Sequence, residues 1–110
     1  MREERRRSAR RAVSARVQGM VTWEIATALV DVSATGALVE HLQMMRPGSV
    51  YQIRFVAREA VVDLACRAVR SYIVRTQASG KENELVYRTG LEFVEPDAGA
   101  ISQLLAATQA

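Results

Sequence analysis

The 110-residue chain has few of the residues that most often carry chemistry or covalent structure. It holds one cysteine, Cys66, so no disulfide can form within the chain. Its one histidine, His41, has no second histidine or cysteine at metal-ligand spacing, which argues against a zinc site and a catalytic imidazole alike. His41 reads as a solvated or capping residue, and Cys66, on the apolar face of a strand pattern, as a small hydrophobe. No glycine-rich loop of the GxxxxGK(S/T) kind is present to cradle a phosphate. Aromatics are scarce: one tryptophan, three tyrosines and two phenylalanines. The tyrosines and phenylalanines fall at inward-looking strand positions, so the interleaved exposed rings of a single-strand nucleic-acid binder are missing. Trp23 lies between two strand patterns and reads as cover for a barrel end, with an exposed stacking platform as the alternative. No apolar run reaches the length of a membrane span. The basic start leads into no apolar segment, so it does not read as a secretory signal. The expectation is a cytoplasmic, non-catalytic protein with no cofactor and no metal.

What is present is a chain of single-domain size, with 49% apolar and 25% charged residues, enough to bury a core. Alternating apolar and polar residues, the signature of half-buried strands, run over 12–22, 25–32, 37–42, 49–56, 60–75 and 85–94. The run over 25–32 is almost wholly apolar, which suits burial on both faces or a closed barrel. The long run over 60–75 changes phase: Val62, Leu64, Cys66 and Ala68 share one face, then Val69, Ser71 and Ile73, which predicts a bulge near Ala68–Arg70. Gly90 is a lone glycine inside a strand pattern, read as a bulge or a close backbone approach. Arg46-Pro47-Gly48 predicts a turn, and Gln77–Asn83 a polar hairpin loop. After Pro96, Asp97 suits a helix N-cap, and Ile101, Leu104, Leu105 and Thr108 follow at helical spacing. Six strands, hairpin turns and one terminal helix point to an all-β antiparallel barrel with a C-terminal helix.

The charge is lopsided. Residues 1–16 hold seven arginines against two glutamates, a net +5, while the remainder holds eight basic and ten acidic residues, a net −2. Lysine occurs once, at Lys81. Arginine favours planar, bidentate recognition of phosphates and base edges over diffuse attraction. Five arginines crowd into the eight positions 4–11: Arg5, Arg6, Arg7, Arg10 and Arg11. Like charges that dense form either a disordered tail or a site for an anion. About twenty residues on comes Asp31-Val32-Ser33-Ala34-Thr35-Gly36, an acid, a hydroxyl and a glycine spaced for a turn. Guanidinium groups pair with phosphates and with the O6/N7 edge of guanine. A carboxylate accepts from guanine N1–H and its amino group. A guanine nucleotide therefore satisfies both stretches. Asp31 would oppose a plain phosphate, so it reads either as a base-reading group or as one half of a structural salt bridge, and residue chemistry weighs the two equally.

Arg6-Arg7-Ser8-Ala9-Arg10 fits RxxxR and Asp31–Gly36 fits DxSxxG, and the two in this order resemble the signature of the PilZ domain family, whose members bind the second messenger cyclic di-GMP. Ala37-Leu38-Val39, Arg46-Pro47-Gly48, Arg67–Ser71, Thr89–Phe93 and the closing helix are similar to the body of that family. The resemblance implies a six-stranded antiparallel barrel over 13–110, its helix at about 97–108, and a flexible arginine-rich ligand-binding segment over 1–12. It implies that Arg6 and Arg10 grip the phosphates and the guanine Hoogsteen edge, that Asp31 and Ser33 contact guanine, and that Gly36 permits the turn. Arg5, Arg7 and Arg11 are additional candidates, and Arg7/Arg11 is an alternative register of the pair. The implied function is a cyclic di-GMP receptor, monomer or homodimer, that orders its arginine segment on binding one or two ligands and signals to a protein partner, not to nucleic acid. An adaptor working by protein contact alone and an arginine-arm nucleic-acid binder are the alternatives.

Overall fold

The computed structural model describes residues 11–12, 18–21, 25–57 and 60–108. They form β1 (Arg11–Ala12), β2 (Gln18–Val21), β3 (Ile25–Val32), β4 (Gly36–His41), β5 (Val50–Val56), β6 (Val61–Ser79), β7 (Glu82–Phe93) and α1 (Ala98–Ala107). The all-β pattern with a C-terminal helix is as expected. The described strands number seven, not six, because the run expected as one strand over 12–22 contributes both β1 and β2.

Every strand pairing is antiparallel, in the order β1-β3-β2-β5-β6-β7-β4, and β4 pairs again with β3. Six strands, β3-β2-β5-β6-β7-β4, therefore close into a ring. β1 adds to β3 at the end that β2 leaves unpaired: Arg11 faces Val32 and Ala12 faces Asp31.

The inner face follows the period-two pattern. Ala37 and Val39 of β4, Ile53 and Phe55 of β5, Val62, Leu64, Cys66 and Ala68 of β6, and Leu91 and Phe93 of β7 are all buried in one cluster. Burying such a set is the main source of the fold's stability, each large side chain contributing about 1.5–3 kcal/mol. The expectation that β3 is buried on both faces gives way to the barrel alternative. Thr27 and Leu29 are buried but Ala28 is exposed. A register shift between Leu29 and Asp31 then returns Val32 to the interior and leaves Asp31 on the outside.

α1 is started by Asp97, whose carboxylate accepts from the Gly99 N–H at 2.8 Å. It packs against β6 and adds Ile101 and Leu104 to the core. The turn at Arg46–Ser49 is closed by the Ser49 N–H on the Arg46 carbonyl at 3.1 Å.

The polar stretch Gln77–Asn83 is not a loop. β6 and β7 stay paired as far as Ser79 opposite Glu82, leaving a two-residue turn, Gly80-Lys81, with Gly80 at φ +62°. A positive φ at the first turn residue suits glycine and joins strands with the right twist. The expected bulge is present between Ala68 and Arg70, and a second lies between Ile73 and Arg75. β5 reaches only to Arg67 on β6, and β4 only to Tyr87 on β7. Beyond those points the two strands form a ribbon standing off the barrel. The apolar set expected to turn inward after the first bulge is consequently exposed: Val69 is 56% and Ile73 53% accessible, and Leu85 opposite is exposed too.

Candidate ligand-binding surface at the β3–β4 turn

The DxSxxG stretch is the connection from β3 to β4. Asp31 is half-buried on the outer face of the barrel, between Ala12 of β1 and Leu38 of β4. Ser33 is buried, at 1% exposure. Its N–H donates to the Gly36 carbonyl at 2.9 Å, and its Oγ accepts from the Thr35 N–H at 3.3 Å. The same hydroxyl lies 3.3 Å from Thr35 Oγ1 and 3.5 Å from the Gly36 carbonyl. Serine suits this role because its short side chain can replace a backbone partner within a turn. The turn is also tied to β7, since the Phe93 N–H donates to the Thr35 carbonyl at 3.0 Å.

Gly36 is required by packing. A methyl group there would overlap the Leu91 carbonyl oxygen on β7. The bare backbone expected at this position thus faces another strand, and the reason for glycine is close approach rather than a positive φ. Thr35 and Ala34 are the exposed members of the turn.

Arg11 lies in β1, beside the turn. Arg5, Arg6, Arg7 and Arg10 lie outside the described residues, as does Trp23. The chain enters β1 directly from Arg10, so the register of β1 sets the end of the arginine run against Val32 and Asp31. The twenty residues between the two motifs are closed by that pairing.

A cross-strand row extends from Asp31 along the outer face. Asp31 pairs with Leu38, Leu38 with Gly90, and Gly90 with Arg70. In the next row Glu40 pairs with Arg88 and Arg88 with Tyr72. Glu40 accepts from Arg75 Nη2 at 2.5 Å and from Arg88 Nε at 3.0 Å. The Arg75 guanidinium, aided by Arg88, holds the Glu40 carboxyl below its usual range against the opposing effect of burial. Arg70 lies over the Tyr72 ring, its guanidinium carbon 4.9 Å from the centroid. Arg54 and Arg67 are paired with Asp63 and Glu92.

Inside the barrel, His41 is buried, not solvated as its sequence position suggested. Nδ1 meets the Gln43 carbonyl at 2.5 Å and Nε2 meets Thr89 Oγ1 at 2.6 Å, with Ser71 Oγ 2.9 Å further on. A carbonyl can only accept, so Nδ1 carries a proton and donates to it, while the Thr89 hydroxyl beside Nε2 donates on to Ser71 Oγ. The ring stacks on Tyr87, with centroids 6.1 Å apart. Burial pushes the Cys66 thiol up to about 12, which leaves it protonated and unreactive at neutral pH. Among the described residues no three His, Cys, Asp or Glu side chains cluster as a metal site, and no helix is long and apolar enough to cross a membrane.

Leu38, Gly90, Arg70 and Tyr72 were not singled out as a site by the sequence. The available signals were the phase change near Ala68–Arg70 and the lone glycine at 90, which prove to be cross-strand partners.

No match was found among curated protein sequences. Among solved structures, the fold is similar to the PilZ domain with c-di-GMP of YcgR from Escherichia coli. That likeness has a TM-score of 0.70 at 17% identity and covers 94% of this chain and 88% of that one. It is also similar to MrkH, described as a c-di-GMP-dependent transcription regulatory factor, with a TM-score of 0.69 at 14% identity. Here the match covers 92% of this chain but 49% of MrkH. The family model for the PilZ domain matches residues 4–110, both motifs included, and the chain belongs to the PilZ domain family.

Proposed function

We propose that the protein is a non-catalytic cytoplasmic receptor for cyclic di-GMP. Arg6 and Arg10 would bind phosphate and the guanine Hoogsteen edge, and Asp31 would accept from the guanine N1–H and amino group. Ser33 and Gly36 fit a different part in this reading: they fix the turn that holds Asp31 at the barrel surface. The solved YcgR domain is described with the same ligand, and MrkH as dependent on it. The observation that carries the proposal is the β1–β3 register, which delivers the arginine run to the strand bearing Asp31. An acid beside a cluster of arginines suits a ligand with both phosphate and a donor edge, and guanine nucleotides have both.

Capture of the ligand would draw segment 1–12, whose last two residues already pair with β3, onto the outer face of the barrel 13–110, and a protein partner would read that change. Calorimetric titration with cyclic di-GMP tests the core of this reading. Binding is expected, and Arg10→Ala and Asp31→Ala should each weaken it by about 1.5–3 kcal/mol, roughly ten- to a hundredfold. No heat at tens of micromolar ligand would sink the receptor reading. Wild-type affinity in both variants would show that the pocket lies elsewhere.

A further inference from the structure

The ribbon that stands off the barrel has two unlike faces. β7 alternates without interruption from Phe93, Leu91 and Thr89, which are buried, so Tyr87, Leu85 and Asn83 lie on the same side. Their partners on β6 are Ile73, Thr76 and Ala78. None of these six is charged. The charged residues of the two ribbon strands, Arg70, Arg75, Glu82, Glu84 and Arg88, all belong to the opposite face. The bulge between Ile73 and Arg75 preserves this division, since simple alternation would send Arg75 to the side of Ile73. A ribbon with water on both sides has no use for such sorting, whereas a sheet with one covered face requires it. Yet Ile73 and Leu85, on the uncharged side, are exposed.

A second apolar surface adjoins that face. β4 and β5 flank the β6–β7 pair in the ring, so the connection between them, residues 42–49, passes the base of the ribbon on one side or the other. It passes on the inner side, because Met45 is buried in the core cluster. The connection therefore caps the barrel mouth at the end where the ribbon leaves. Leu42 and Met44 are exposed on this cap, Met44 at 62%. Cap and ribbon meet at the stacked rings of His41 and Tyr87. Together they form a corner without charge, apart from Arg46 in the turn that leads to β5. Contiguous apolar surface of this kind marks a site of protein contact.

We propose that a second copy of this chain covers the corner. Two ribbons pack with their uncharged faces together, antiparallel about a two-fold axis. Laid so, each ribbon brings its tip to the base of the other, where the partner's cap lies. A two-fold contact sets each patch against itself, so charges within it would repel, and these ribbon faces carry none. The size also fits. Ribbon residues 71–87 with cap residues 42–46 supply the roughly twenty to thirty residues a side of a stable interface, and the ribbon alone falls short. The charged faces of both ribbons, and Asp31 on the outer face of each barrel, remain in solution. The dimer thus stands independently of the ligand reading.

The test is sedimentation velocity of the full chain from about 1 to about 100 μM, because contacts of that size hold with micromolar or tighter affinity. The mass should rise from 12.2 kDa to about twice that value. Over the same range, hydrogen exchange at Arg75–Leu85 should slow at least about tenfold. Leu85→Glu and Ile73→Glu each place a carboxylate on the contact twice over. Both should stay monomeric throughout and melt as the dilute wild type does. Val56→Glu alters an exposed valine at the opposite end of the barrel and should dimerise like wild type. A wild type that stays at 12.2 kDa overturns the proposal. A dimer that persists in either ribbon variant, is lost equally in Val56→Glu, or leaves the ribbon amides exchanging fast also overturns it.

Discussion

His41 shows most plainly how a single side chain was misread and what its true setting does. A lone histidine in a strand, with no second histidine or cysteine at metal-ligand spacing, looks solvated. The barrel instead gives each ring nitrogen a hydrogen-bond partner and closes water out. Burial is the largest influence and lowers its pKa below 6.5, opposed by the Gln43 carbonyl and by the charge of Glu40. The unfolded chain protonates His41 below about pH 6.5, and the folded chain does so only at lower pH. Stability is therefore full at neutral pH and falls as pH drops below 6.5, by at most about 1.4 kcal/mol per pH unit, until the folded value is passed. Urea denaturation at pH 7.5 and pH 5.5 should show this loss in the wild type and a smaller one in His41→Asn. Equal losses in both proteins would place the sensitivity elsewhere. Glu40 acts in a separate window, because its lowered pKa gives stability that persists above about 4.5 and is lost only as pH falls further.

At the scale of elements, the parts that were legible in the sequence are those with one wet and one dry face. Val62, Leu64, Cys66 and Ala68 announced both the inner face of β6 and the bulge that follows. The turn at Arg46–Ser49 and the N-cap at Asp97 were legible because proline, glycine and aspartate act locally. The outer half of the β6–β7 hairpin was not. Periodicity reports a buried face, and between Thr76 and Leu85 this ribbon has no buried residue, so Gln77–Asn83 carried only turn-like composition. Two strands without a sheet are marginally stable. Amide hydrogen exchange in the dilute monomer should consequently be fast from Arg75 to Leu85 and slow at Leu64–Ala68 and Thr89–Phe93. Protection of the ribbon equal to that of the barrel would mean that something else covers it.

For the whole molecule, closure of the ring matters most to the site. β3 carries Asp31 and pairs with β1, β2 and β4, so the residue is held by the strand on which the barrel closes. Its two motifs were legible as letters, but their adjacency was not, because it depends on a register between β1 and β3 that no local pattern encodes. The Asp31–Leu38–Gly90–Arg70 row was hidden for the same reason, being drawn from four strands. If ligand capture draws segment 1–12 onto this face, trypsin should report it, since that segment offers six arginines as cleavage sites. Cyclic di-GMP is expected to slow cleavage there severalfold in wild type and not in Asp31→Ala, read by mass spectrometry. Unchanged cleavage in a protein shown to bind would remove the ordering step from the proposal.

The two-residue turn at the end of the ribbon has a practical use. Lys81 is the only lysine in the chain and is exposed there, nine residues along the chain from Gly90, or about 30 Å at strand rise. Amine-reactive dyes or surface couplings can therefore address this protein at Lys81 and the terminal amine alone. A fluorophore on Lys81, or a sensor chip attached through it, would sit at the far end of the ribbon from the row that carries Asp31 and Gly90.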